Sequence, residues 1–392
     1  MKRYDFDKVI ERRGTNATKY NFKGMGKPES AIPLWVADMD FMACDPVLEA
    51  LRKAVDHGIF GYSSPGEDYY EAAAGWFERR FNWRPEKDWL VYTPGVVFAL
   101  SAAVRAFTEP GGNVLIQPPV YYPFSNAIRN NGRRIVENPL ILRDGRYEID
   151  FDDMERKIAE NGVRLFILCS PHNPVGRIWS ADELRRMGEI SGRYGTVIVA
   201  DEIHCDFHWP GREYRLVLEA CPEFADRVMS CTAPSKTFNL AGMQTSNIWI
   251  PDAELRRRFA DEVHSRGFFS PGILGAEACR AAYEGGEEWF DQCLEYLHGN
   301  YEFIRDYLAA RIPEIKPVEP DGTYFLWLDF SALGMERAEL DDFVLNKAGL
   351  WVDEGHIFGT GGEGFQRIIL ACPRSMLVRA MEQLEEAVKA LR

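Results

Sequence analysis

The chain has no apolar run long enough to span a bilayer, and none follows the opening MKRYDFDKVIERR. Neither a membrane anchor nor a secretory leader is expected. It also lacks a cationic excess. Lys and Arg number 46 against 60 Asp and Glu, a formal charge of −14. Nucleic-acid binding, which needs clustered Lys and Arg against the phosphates, is thereby excluded as a function class. A small anionic ligand is not excluded, because one pocket can be locally positive in an acidic protein.

CxxC pairs are absent too. Eight cysteines (44, 169, 205, 221, 231, 279, 293 and 372) are scattered along the chain. That pattern suits reduced, buried thiols in a cytoplasmic protein rather than a disulfide framework. The cluster HCDFH, His204 to His208, has no companion at zinc-like spacing, so no metal is expected. Low-complexity tracts, charge blocks and internal repeats are missing as well, and the domain division has to come from the pattern of elements.

What is present in the middle of the chain is an alternation of short apolar runs with helical stretches. NVLIQ (113–117), RLFILC (164–169), TVIVA (196–200) and RVMSC (227–231) read as buried strands. Between the second and third lies SADELRRMGEISGRYG. Ser180 and Glu183 have capping-box spacing, Leu184, Met187 and Ile190 share a face, and Gly195 ends the helix. Strand–helix–strand units of this length predict an α/β fold, a mainly parallel sheet sandwiched by helices. Further on, TYFLWLDF (323–330) alternates like a half-exposed strand, RIILA (367–371) reads as another, and Ser375 opens a closing amphipathic helix. These features predict a large domain over 46–286 and a smaller α+β domain formed by 1–45 with 287–392.

Each buried strand is followed by a chemically useful residue. SPHNPVG delivers Asn173, DEIHCDF opens on Asp201, and TAPSK delivers Lys236. Each has a simpler reading by itself: a turn, a helix cap and a surface lysine. In open α/β sheets, however, ligands bind outside the carboxyl ends of the strands, and three such ends bring an amide, a carboxylate and an amine to one edge. Pyridoxal 5'-phosphate needs this set: a lysine for its aldehyde, an anion for its ring nitrogen and a donor for its phenolic oxygen.

SPHNPVG, ADEIH and APSKTFNLAG, in this order and at these separations, resemble the class I/II, fold-type I pyridoxal-phosphate aminotransferase superfamily. The resemblance extends through PLWVADMDF, GYSSPGEDY, TPGVVFALSAAVRAF, PPVYYPF and ACPRSML, nearly the whole chain. WVADMDF, DEIHCDF and SKTFNLAGMQTSN look most like its cystathionine β-lyase, or C–S lyase, branch.

The resemblance implies a role for each matching residue. Lys236 would be the Schiff-base lysine, Asp201 would pair with the pyridinium nitrogen, and Asn173 would bond the phenolic oxygen. Tyr121 would stack on the cofactor ring. Gly95, Val96 and Val97 would hold the phosphate at a helix start, with Ser235 as a hydroxyl donor. Tyr62 would reach the phosphate of a neighbouring subunit, which implies a homodimer with shared sites. Arg374, in CPRSM, would clamp the carboxylate of a small amino-acid substrate, and Ala37 would present its backbone to that carboxylate.

Three positions depart from the wider family. Gln244 stands where an arginine usually grips the phosphate, and Ala233 replaces a frequent serine. His204 stands where many relatives carry a tyrosine beside the phenolic oxygen, which would make its protonation part of the site's pH behaviour. Both Gln244 and His204 fit the lyase branch. The implied reaction is β-elimination from cystathionine or another cysteine S-conjugate. A broad-specificity aminotransferase, or a cofactor-bound regulatory protein of the same branch, are the alternatives. The glycine-rich GTGGEG (359–364) precedes a strand rather than a helix, so it is read as a turn and not a phosphate loop.

Overall fold

The computed structural model describes residues 2–391. Seven strands form one sheet in the spatial order Leu90–Thr93, Ser246–Trp249, Val228–Thr232, Val197–Asp201, Leu165–Cys169, Asn113–Ile116, Arg134–Glu137. From Val228–Thr232 onward all neighbours are parallel, whereas Ser246–Trp249 runs antiparallel to both of its neighbours.

Every residue of Leu165–Cys169 and of Val228–Thr232 is buried, as continuous apolar runs require when helices cover both sheet faces. Alternation sorts their side chains. Leu165, Ile167, Val199 and Met229 pack with Leu100, Ala103 and Val104 of the helix Val96–Phe107. Phe166, Leu168, Ile198 and Val228 face the opposite core, with Leu184, Met187 and Ile190 of the helix Ala181–Tyr194. That second helix begins at the expected capping box: Ser180 and Glu183 each accept from the other's backbone N–H. It ends at Gly195, whose φ is +67°.

A second, antiparallel sheet is ordered Lys316–Pro317, Phe325–Asp329, Phe365–Ile369, Asp353–Glu354. The N-terminal segment lies along its neighbourhood. Ile32–Pro33 pairs in parallel with Leu350–Trp351, Ile369 N–H donates to the Leu34 carbonyl, and Asp40 N–H donates to that of Ala371. The 25-residue helix Glu287–Arg311 starts at Gly286, where a Cβ would come within 2.5 Å of both the Ala282 carbonyl and the Phe238 ring. The closing helix runs Arg374–Lys389, one residue earlier than the sequence suggested.

One expectation fails here. The strand Phe325–Asp329 is not half-exposed, since Phe325 to Leu328 are all buried. Phe325 meets the His204 ring edge-on, and Trp327 Nε1 donates to the Tyr147 hydroxyl, so elements next to the large sheet cover the face that was expected to meet water. Leu326 and Leu328 fill the core. The alternation in TYFLWLDF is therefore a change of partner and not a change of solvent.

Candidate active site

Strand register puts the three functional ends at one level. Cys169 pairs with Asp201, and Asp201 with Cys231. A cavity of about 230 Å3 opens at that edge. Ala37, Gly95, Val96, Val97, Tyr121, Asn173, Asp201, His204, Ser235 and Lys236 all line it. Ten of the twelve residues expected in the site are thus brought together.

The Lys236 amine donates to the Ala37 carbonyl at 2.8 Å. Burial, and then the nearby Arg367 cation, lower its pKa to about 8, with Asp38 and Asp201 opposing. This amine is far easier to deprotonate than a surface lysine. The Asp201 carboxylate accepts from Ile203 N–H at 3.2 Å and from no other group among the described residues. Burial lifts its pKa to about 7, against the Ile203 bond and the Lys236 charge. A carboxylate so poorly served by protein donors fits a cationic ligand in the cavity.

Asn173 is oriented from several sides. Its carbonyl accepts from Tyr121 N–H at 3.0 Å, its N–H donates to Cys169 Sγ, and its Oδ1 accepts from Arg367 Nη1 at 2.9 Å. The amide nitrogen is then the end left to serve a ligand oxygen.

His204 departs from expectation. Burial, reinforced by Lys236 and Arg367, holds its pKa well below the ordinary histidine value, so it is a neutral ring that does not titrate near neutrality. It packs edge-on to Tyr324 and Phe325.

At the other end of the cavity the helix Val96–Phe107 begins without a side-chain cap, behind Gly95 at φ +148°. That backbone conformation favours glycine, and the unpaired first-turn N–H groups form an anion site. Gln244 and Thr245 complete this end, and Lys236 is the single Lys or Arg among the lining residues.

Tyr62, expected at a neighbouring subunit's phosphate, and Arg374 do not line this chain's cavity. Tyr62 is fully exposed, in a loop with the exposed Ile59 and Phe60. Arg374 points elsewhere: its Nε donates to Asn300 Oδ1 at 2.6 Å, its guanidinium lies 4.9 Å from the Phe303 ring, and it borders an outer cleft with Tyr4, Phe6 and Gln292. Arg374 is therefore not brought to the cavity, whereas Arg367 reaches its wall through Asn173.

Arg367 is almost wholly buried, between the rings of Phe325 and Phe358. It bonds Asn173, the Trp35 carbonyl at 3.0 Å, and Asp353. The strand Phe365–Ile369 aims it inward, whereas Arg374 starts the next helix and turns outward. A signal was available in the sequence. An arginine inside an apolar strand is seldom buried without a task, and a helix-start arginine commonly faces solvent. Tyr324, whose hydroxyl donates to the Ala37 carbonyl at 2.9 Å, also escaped the sequence reading.

The residues fit the cofactor. Asp201 offers an underserved carboxylate, Asn173 a free amide nitrogen, Lys236 a weakly basic amine, and the Val96 helix start an anion site. Comparison with known proteins agrees. Residues 29–384 match the family described as aminotransferase class I and II. Cystathionine β-lyase PatB of Bacillus subtilis is 41% identical over 98% of this chain and 100% of that protein. Cystalysin of Treponema denticola, whose crystal structure contains pyridoxal 5'-phosphate, superposes with a TM-score of 0.96 at 38% identity, covering all of both chains. A pyridoxal-phosphate-bound C–S lyase of Staphylococcus hominis gives 0.92 at 32% identity, over 99% of each chain.

The chain belongs to the class I and II aminotransferase family, with the fold-type I architecture. Within that family it is a pyridoxal-phosphate-dependent carbon–sulfur lyase of the cystathionine β-lyase branch.

Proposed function

We propose that this enzyme cleaves cystathionine or a related cysteine S-conjugate by β-elimination, giving a thiol, pyruvate and ammonia. The carrying observation is one cavity that holds Lys236, Asp201 and Asn173, with Arg367 bonded directly to Asn173. When bound, pyridoxal phosphate supplies the electron sink that makes the substrate α-proton removable.

The chain's own groups do the rest. Asp201 would hold a positive charge at the ring nitrogen, where burial in low dielectric would make that pairing strong. Asn173 would donate to the phenolic oxygen, Tyr121 would cover the ring, and the N–H groups of Gly95, Val96 and Val97 with Ser235 would hold the phosphate. Arg367 receives the substrate carboxylate together with Ala37 N–H, which has no partner among the described residues. Lys236, neutral at mildly alkaline pH, takes the α-proton on Nζ. The Cβ–S bond then breaks with its electron pair leaving on sulfur, which takes up a proton. Water hydrolyses the released three-carbon enamine to pyruvate and ammonia.

The active unit in this reading is a homodimer. Tyr62, Ile59 and Phe60 are exposed on a loop tied to Ser270 and Pro271, and Val97 at the phosphate end is itself exposed. A second copy covering this apolar face would bring its own Tyr62 to the phosphate. Two units, divided near Gly285–Gly286, fit the separate seven-stranded and four-stranded sheets. A cytoplasmic location is supported by eight free, buried thiols. Among the described residues no helix is long and apolar enough to cross a membrane.

The test is acceptor dependence. Purified, cofactor-loaded protein given L-cystathionine releases thiol at the same rate with and without 2-oxoglutarate. Turnover only in the presence of 2-oxoglutarate would make it an aminotransferase.

A further inference from the structure

Asn239 lies three residues beyond Lys236, in the same turn, and has no task in the reaction described above. Its φ is +57°. Its Oδ1 accepts from Met39 N–H at 3.0 Å, and its Nδ2 donates to the carbonyls of Met39 and Phe41, each at 2.9 Å. A primary amide can form about four such bonds, and three of these go to one stretch of backbone distant in sequence.

That stretch carries Ala37. Upstream, the Trp35 carbonyl accepts from Arg367. Between the two anchors, the Ala37 carbonyl accepts from Lys236 and Tyr324. Arg12 and Lys19 bind Asp38 and Asp40 from the other side. Those ion pairs fix the stretch to residues 12–19 but not to the Lys236 turn. Asn239 makes that second connection, through side-chain bonds to backbone on both flanks of Asp40.

We propose that Asn239 is a positioning residue that locks the Ala37 segment to the Lys236 turn, so that the amine moving the α-proton and the backbone receiving the substrate carboxylate keep one separation. The proposal rests on the β-elimination reading. Misplacement of reacting groups by about 1 Å can cost on the order of 100-fold in rate, so a tie this close to both groups has leverage. Asn239 does not line the cavity and acts through what it holds.

Two variants test it in the cofactor-loaded enzyme. Asn239→Gly keeps the positive φ and removes all three bonds. Asn239→Asp keeps an acceptor for Met39 N–H and sets a carboxylate against two carbonyls. Both are expected to retain bound pyridoxal phosphate within about twofold of wild type and to lose about tenfold or more in kcat/KM for cystathionine. The α-deuterium isotope effect on kcat/KM should grow, and amide exchange at residues 36–41 should quicken. Wild-type kcat/KM, isotope effect and exchange in Asn239→Gly would overturn the proposal. So would loss of cofactor together with global unfolding in both variants, which marks a merely structural role. If the wild type itself fails to cleave cystathionine, the β-elimination reading falls, while the exchange comparison still decides whether Asn239 ties the segment.

Discussion

The cofactor end and the substrate end of the cavity are built in opposite ways. Asp201 ends one strand, Asn173 and Lys236 each follow a neighbouring strand by four residues, and the register of the three strands brings them together. The end proposed for the substrate is Ala37, which lines the cavity, backed by Tyr324 just ahead of the strand Phe325–Asp329 and by Arg367 within the strand Phe365–Ile369. One end follows from a local rule applied three times. The other exists only once distant segments have packed.

The predictions separate the two ends. The largest effect belongs to the cofactor end. Lys236→Ala should lower kcat by about 10,000-fold, the upper range for loss of a proton-transferring group, and should abolish borohydride-stable attachment of the cofactor. A variant with activity near wild type would remove Lys236 from the centre of the account.

The two arginines probe the substrate end. Arg367→Lys loses the planar fork and should raise KM for cystathionine by about 100-fold, whereas Arg374→Lys should stay within about threefold. Steady-state kinetics on the pair decides between them, and the reverse ranking would restore Arg374 to the site.

A smaller effect is graded by pH. The Lys236 amine deprotonates at about 8 in the cofactor-free protein. Below that pH its reactive neutral fraction, and so the rate of pyridoxal-phosphate uptake, should fall about tenfold per unit, levelling off above it. A lysine in open water would keep rising until near pH 10.5. Absorbance stopped-flow over pH 6–10 distinguishes the two profiles.

The smallest effect is on stability. Asp201 in the cofactor-free protein has a pKa raised from 3.8 to about 7. A raised acid costs nothing below its unfolded value and costs most above its folded one, so the penalty grows between pH 4 and 7 and is full at pH 8. Asp201→Asn should therefore stabilise the cofactor-free protein at pH 8 by about 1–3 kcal/mol while weakening cofactor binding. Denaturant melts at pH 4 and pH 8 check the sign.

The same contrast explains what the sequence disclosed. The buried strands, the capping box at Ser180 and the residues after each strand end all carry local signals within about fifteen positions. Arg367 and Arg374 are seven residues apart; strand against helix start hints at which one is buried, but what the buried one meets depends on the N-terminal segment packing beside its strand. Tyr324 and Asn239 present ordinary residue types, and their importance lies in bonds to a backbone segment that no spacing announces. His204 carried a position but not a state, because the state comes from burial and from two neighbouring cations.

The central claim is that both ends act on one substrate to break a carbon–sulfur bond. It is tested most directly by following thiol, pyruvate and ammonia together in one reaction of the cofactor-loaded enzyme with L-cystathionine and no 2-oxo acid. Equal amounts of the three, appearing in step through many turnovers, are the expected result. A reaction that stops after one equivalent per site, or that yields pyruvate without thiol, would contradict it.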